Sequence, residues 1–182
     1  MTLPRVMGWD LAAEQSGVAL PDGTTTVIKA KKVSGRKRTF ADDMERLDLV
    51  DRRSDELIAV HRPTLAVIED YAAGIRGNPV HRLAECGGAV RLNCWRAGAQ
   101  VALVNLTHVK IYATGHGGAT KSQMATAALS RAGLMFATED ECDAAWMRWL
   151  GLDLLGHPEF PLPEKNRSVL GKIKLPDGGS GG

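Results

Sequence analysis

Four carboxylates stand where regular structure would carry them toward one another: Asp10, Glu69, Asp140 and Asp143. Asp10 lies near the end of the apolar run RVMGWDL, and Glu69 near the end of TLAVIED, residues 64–70. Strand alternation puts Val6, Gly8 and Asp10 on one face of the first run, and Leu65, Val67 and Glu69 on one face of the second. In α/β sheets ligands gather at the carboxyl ends of strands, so two acids at two such ends form a candidate site. Taken singly, an Asp after a strand also serves as a turn residue, and Glu69 with Asp70 can open a solvated loop. Asp143 falls on a helical stripe with Met147, Leu150 and Leu154, the face by which that helix should pack on the sheet. A carboxylate aimed inward is costly unless it is paired or holds a metal. Asp140, three residues earlier, is its neighbour on the helix surface, so the two can share one ligand. The run Thr138–Glu141 also fits a capping box, in which acids complement a helix N-terminus; this is the preferred reading of Glu139 and Glu141.

Four carboxylates without a matching His or Cys cluster suit a hard, oxygen-seeking cation, Mg²⁺ before Mn²⁺. Two Mg²⁺ ions about 3.5 to 4 Å apart suit phosphodiester hydrolysis. By analogy with that chemistry, one activates water and the other stabilises the leaving 3′ oxygen, giving a 5′ phosphate and a 3′ hydroxyl. The formal net charge of +2 does not by itself imply nucleic acid, but residues 29–38, KAKKVSGRKR, hold six basic side chains in ten positions: Lys29, Lys31, Lys32, Arg36, Lys37 and Arg38. Such a run is the footprint of phosphate binding, and equally of a solvated surface hairpin.

The elements that must position these groups follow from periodicity. RVMGWDL, SGVALP and TTTVIKAKKV read as three strands, with Pro21-Asp22-Gly23 turning the last two into an antiparallel hairpin. A helix is expected from Thr39 to Val60, a buried strand over 64–70, a helix from Pro79 to Ala97, and the strand QVALVN. A brief helix over Thr107–Tyr112 precedes the glycine-rich ATGHGGATK, and helices follow near Lys121–Ala132 and Asp140–Leu155. The order β-β-β-α-β-α-β-α-α-α implies an α/β fold, a mixed five-stranded sheet flanked by helices on both faces. Residues 1–156 form the expected domain, and 157–182, rich in Pro and Gly, a flexible tail. Hydrophobic residues at 44% and charged residues at 24% exclude disordered and fibrous classes. Three cysteines without C-x-x-C spacing suggest buried free thiols rather than disulfides or zinc. No run is long and apolar enough for a membrane span, and the start lacks signal-peptide order, so a cytoplasmic location is expected.

The motifs together resemble the RuvC-like Holliday-junction resolvases. MGWDLAAEQSGVAL looks like the family's first strand and the start of its second, AVIEDY like the strand bearing its Glu, and VKIYATGHGGATKSQ like its segment with two basic residues around a glycine-rich turn. DECDAAWMRWL is similar to its terminal D-x-x-D pattern, and the four stand in the family's order over about residues 4–155. The resemblance implies a ribonuclease H-like fold, metal binding by Asp10, Glu69, Asp140 and Asp143, and phosphate-facing roles for Lys110 and Lys121. It further implies a homodimer cutting symmetric strands of four-way DNA, with Gly87 and Gly88 permitting close helix approach or serving packing within the monomer.

There are departures. The family's junction-inserting aromatic follows the Glu strand, whereas Tyr71 lies slightly early and Ala72 follows, leaving Tyr71, Ile75 and Arg76 as candidates for opening the DNA. These departures, with the long basic run, fit a phage-encoded relative acting on several branched DNAs. Rival readings are a ribonuclease H-like nuclease acting on RNA and a junction-binding protein without cleavage. GHGGATKS, residues 115–122, misses the phosphate-loop pattern by Thr120 in place of Gly, and no strand is expected to lead into it. GWDLA with SGVA also resembles the first phosphate hairpin of actin-like folds, which need two domains.

Overall fold

Alternating apolar residues bury both faces of β1 (Val6–Asp10), and the rest of the molecule is arranged about this strand. The structure, a computed structural model, describes residues 3–70 and 78–175, with the side chains of 78–80 left aside. β2 (Gln15–Ala19) and β3 (Thr25–Lys29) follow as an antiparallel hairpin, α1 (Phe40–His61) crosses over, and β4 (Leu65–Glu69) pairs parallel with β1. After α2 (Asn78–Arg96), β5 (Gln100–Val104) adds parallel to β4, completing the order β3-β2-β1-β4-β5. α3 (Leu106–Thr114), α4 (Lys121–Ala132), α5 (Glu139–Leu154), the short α6 (Glu164–Arg167) and a 3₁₀ turn (Leu170–Lys172) close the chain.

The pleat divides the core in two. Met7, Trp9, Val18, Ala66 and Ile68 pack beneath α1 and α2, while Val6, Leu65, Val67, Ala102 and Val104 pack beneath α3, α4 and α5. Helices therefore cover both faces of the five-stranded sheet, as the element order predicts. Two glycines set how closely α5 approaches. A Cβ on Gly8 would lie 2.0 Å from the Ala144 carbonyl oxygen, and one on Gly17 2.0 Å from that of Asp140. The α5 backbone thus rests directly on β1 and β2, at the end where Asp10 stands.

The sequence reading needs correction in three places. β3 ends at Lys29, so residues 31–38 form no hairpin arm but run irregularly into α1, whose capping box joins Thr39 to Asp42. α5 is not amphipathic: Glu141 through Asp153 are all buried, with Leu154 only partly so. A helix covered all round carries no informative polar stripe. The cover comes partly from the third difference, since residues 157–175, expected to be flexible, pack on the core. Phe160 meets Trp146 and Trp149 edge-on at 5.8 and 5.1 Å, and Val169 and Ile173 are buried. Arg167 donates to both carboxylate oxygens of buried Asp153, at 2.9 and 2.7 Å, and Asn166 Nδ2 donates to the Tyr112 carbonyl at 2.8 Å. Pro and Gly content signalled irregular backbone, which packs as well as helix when its apolar side chains find a surface. Cys86, Cys94 and Cys142 are buried free thiols, as expected.

Candidate active site

Each carboxylate reaches the site by a different local rule. Asp10 is the last residue of β1 and Glu69 the last of β4; the parallel register pairs Trp9 with Ile68, so the next step places the two acids side by side. Asp140 and Asp143 occupy the first turns of α5, whose N-terminus Thr138 caps with Glu141. Glu141 is confirmed as a capping residue and also accepts from Thr25 Oγ1 at 3.1 Å. Because α5 lies on Gly8 and Gly17, its first turns sit against the end of β1.

Electrostatics record the convergence. Burial pushes the Asp10 carboxyl well above its ordinary range, and the charges of Asp143 and Glu69 add to the rise. Glu69 is raised chiefly by burial, with Asp143 adding to it while Asp10 and the Lys121 and Lys110 charges oppose it. Asp10 and Glu69 thus end neighbouring parallel strands as two partly desolvated like charges, an arrangement that disfavours ionising both. Asp143, 1% exposed, is raised by burial against the pull of Lys121, with Asp140 pushing the same way as burial. Its Oδ2 accepts from the Lys121 ammonium, while Oδ1 is buried with no hydrogen-bond partner. Burial acts to lower the Lys121 ammonium, but the hydrogen bond and charge of Asp143, with Asp10 behind it, carry it upward. Lys121 is the first residue of α4, placed by the Thr120–Gln123 capping box, and Lys110 projects from the half-buried side of α3.

The donors fit a hard divalent cation. All are oxygens, they repel one another, and the buried Asp143 Oδ1 has no hydrogen-bond donor, a donor set that suits a hard cation. The cage is not closed: among the described residues no three acidic, His or Cys side chains are arranged around a common point. Asp140 turns aside to accept from Gln15 Nε2 at 2.8 Å, and Lys121 serves as counter-ion to Asp143. Pattern alone gives no role to Gln15, and it puts Gly8 on the face of Asp10 without its packing role, although glycine inside a strand, as at Gly8 and Gly17, is a recognisable sign of close backbone approach.

The basic run begins at the same end of the sheet. Lys29, Lys31, Lys32 and Lys37 are exposed and form no ion pair among the described residues, and Lys31 and Lys32 help line a cleft of about 630 Å³ against α1. Two of the six expected contacts are engaged within the protein. Arg36 holds Asp42 through two 2.6 Å bonds, and Arg38 lies 3.7 Å from Glu14 and 3.6 Å from Asp43. Tyr71 and Arg76, with Ile75, lie outside the described residues. The near phosphate loop is a helix connection: Gly115 ends α3 in the left-handed conformation and Thr120 caps α4, with no strand leading in.

Residues 6–144 match the family described as crossover junction endodeoxyribonuclease RuvC. The RuvC of Rhodococcus opacus (strain B4) is 32% identical over 148 residues, 78% of this chain and 75% of its own length. That of Alkalilimnicola ehrlichii is 27% identical over 122 residues, covering 67% and 74%. In shape, T. thermophilus RuvC in complex with Holliday junction substrate matches with a TM-score of 0.69 at 20% identity, over 94% of this chain and 99% of that one. The yeast mitochondrial Holliday junction resolvase matches at 0.51 with 14% identity, over 82% and 80%. The fold is that of these ribonuclease H-like nucleases, and the chain belongs to the RuvC family of crossover junction endodeoxyribonucleases.

Proposed function

We propose that the chain resolves four-way DNA junctions by hydrolysing phosphodiester bonds with divalent cations held by Asp10, Glu69, Asp140 and Asp143. The observation that carries this is the placing of Asp10 and Glu69 at the ends of paired strands beside the first turns of α5, where buried Asp143 meets Lys121 and keeps one oxygen without a partner. Those four carboxylates would hold two Mg²⁺ ions, with Mn²⁺ as substitute, and the ions when bound would supply Lewis acidity for phosphodiester hydrolysis. The protein groups do the positioning. Asp10 and Glu69 present oxygens from the rigid ends of paired strands, and Asp143 presents its free oxygen from α5. Gln15 orients Asp140 through the bond from its Nε2. Lys121, half-exposed beside Asp143, would neutralise the scissile phosphate, and Lys110 adds positive charge to the same site. The P–O3′ bond breaks, phosphorus gains the water oxygen, and the proton ends on the 3′ hydroxyl.

Exposed Lys29, Lys31, Lys32 and Lys37 hold a DNA arm through its phosphates, giving affinity with little sequence information. The working form is a homodimer. Gly88, Leu92 and Trp95 form one stripe of α2 at i, i+4 and i+7; Gly88 faces open space, Trp95 is 74% exposed, and Leu103 lies exposed on edge strand β5. An apolar stripe beside a bare edge suits a second copy of this chain. The deciding experiment compares four-way, three-way, flap, linear and RNA substrates in Mg²⁺, with Asp10→Asn as control. Preferential nicking of the four-way junction, lost in the variant while binding persists, is expected. Equal cutting of linear duplex, or activity surviving Asp10→Asn, would sink the reading, and sedimentation showing only monomer at micromolar concentration would sink the dimer.

A further inference from the structure

Four residues, Leu134 to Ala137, join α4 to α5, and both of their anchors are fixed. Gly133 closes α4 with φ of +70°, its N–H bonded to the Leu129 carbonyl at 3.0 Å, and Thr138 opens α5 through its capping box. Between them Phe136 is held edge-on to Trp149, ring centroids 6.1 Å apart. A turn this short, pinned at both ends and in the middle, cannot fold its remaining side chains inward. Leu134 is left 43% exposed and Met135 83%.

Single exposed apolar residues need no explanation. These two have a neighbour that gives them one. Phe136, Ala137 and Thr138 form one wall of a cavity of about 180 Å³, and Lys121, Cys142 and Asp143 form another. The site that draws a phosphate and the apolar turn thus share one space. Leu134 and Met135 immediately precede the Phe136 wall in the same turn and stand exposed. Ala125, Phe136 and Ala137 give the cavity an apolar side on which a base can lie flat, opposite the charged side made by Lys121, Glu139 and Asp143. Met and Leu side chains enter base steps as wedges and unstack them, and any base offers a π-face to sulfur or an aromatic ring.

We propose that the Leu134–Phe136 turn is a base-unstacking element for the nucleotide beside the cut phosphate, with Met135 entering the base step and the cavity beneath Phe136 receiving the displaced base. The proposal rests on the nuclease reading above and deepens it: selectivity at the cut then depends on how readily the local step unstacks, so flexible pyrimidine–purine steps are favoured over stiff ones.

The test uses four-way junctions carrying 2-aminopurine at successive positions around the cut. Full-length protein is added in EDTA to saturation by anisotropy, and single-turnover cleavage is measured separately in Mg²⁺. Wild-type protein should raise the fluorescence at one position next to the cut. Met135→Ser should remove most of that rise and slow cleavage about tenfold, since losing one base stack is worth about that much. Met135→Leu should restore both, and because the side chain is exposed all three proteins should melt alike. A rise and a rate unchanged in Met135→Ser overturn the proposal, as does wild-type protein that cuts without any rise. Wild-type protein that neither binds nor cuts a four-way junction overturns the nuclease reading instead.

Discussion

Asp143 and Asp153 sit on the same buried helix, ten positions apart, each nearly out of water and each facing a cation, yet their surroundings are opposite. Asp153 is satisfied: Arg167 bonds both oxygens and the Tyr112 hydroxyl donates to Oδ2 at 3.3 Å. Asp143 has one partner, Lys121, one oxygen with none, and the like charges of Asp140 and Asp10 interacting with it. Burial itself is common to both. A buried acid whose bonds are complete fastens two segments, whereas one among like charges with an unpaired oxygen contributes no such fastening on that oxygen.

The largest expected effects break this pair apart. Asp143→Asn should lower junction cleavage by about a thousandfold or more, as loss of a group acting on the reacting atoms does, while the metal-free protein melts no lower than wild type. Asp153→Ala should do the reverse, dropping the melting temperature by about 5 °C, as expected for a broken buried network, with residual cleavage tracking the folded fraction. If calorimetry and single-turnover assays show both variants failing in the same way, the contrast is wrong.

Lys121→Gln comes next, with cleavage slowed about 10²- to 10³-fold, the usual loss when one charge-stabilising donor is removed. Junction affinity in EDTA should change little, because the basic run carries most of the grip. A variant that binds poorly but cuts normally once saturated would move Lys121 from chemistry to binding.

A smaller effect concerns pH. Asp10, Glu69 and Asp143 all titrate above their ordinary range, chiefly through burial. The folded protein therefore holds protons that the unfolded chain has released above about pH 4. Stability from these groups is present below that pH and lost as pH rises through the folded values. Metal-free protein should thus melt lower as pH rises above about 4, and saturating Mg²⁺ should offset the loss, since a ligand of the folded state at about a hundred times its Kd adds about 2.7 kcal/mol. Asp143→Asn should flatten both responses. A wild-type melting curve indifferent to pH and Mg²⁺ in scanning calorimetry would remove the strained cluster from the argument.

The smallest effect separates free from engaged cations. Replacing Lys31 and Lys32 together by Ala should reduce the salt slope of binding by about two, roughly one per phosphate contact. Arg36→Ala should hardly move it, because that side chain is already held by Asp42. Equal losses in a salt titration would mean that DNA displaces the Asp42 pair.

Much of this was legible beforehand. Two-residue alternation put Asp10 and Glu69 on defined faces at defined strand ends, and the capping box marked where α5 begins. Asp143 was correctly found to point inward, although the stripe argument understated how fully α5 is enclosed. Lys110 and Lys121 came only from the pattern of a family, because a lysine at a helix end has no physical signature until its partner is known.

The sequence by itself determined the strands, the helices, their order and the chemistry of the carboxylates, because each follows from periodicity or from side-chain type within a few residues. Only the tertiary structure decided that Lys121 rests on Asp143, that Gln15 holds Asp140, that Gly8 and Gly17 admit the α5 backbone, and that residues 157–175 close over the core. These are contacts between residues far apart in the chain, set by how closely packed surfaces meet, and no local pattern encodes that distance. The four acids were written in the sequence; their unequal satisfaction was settled by packing.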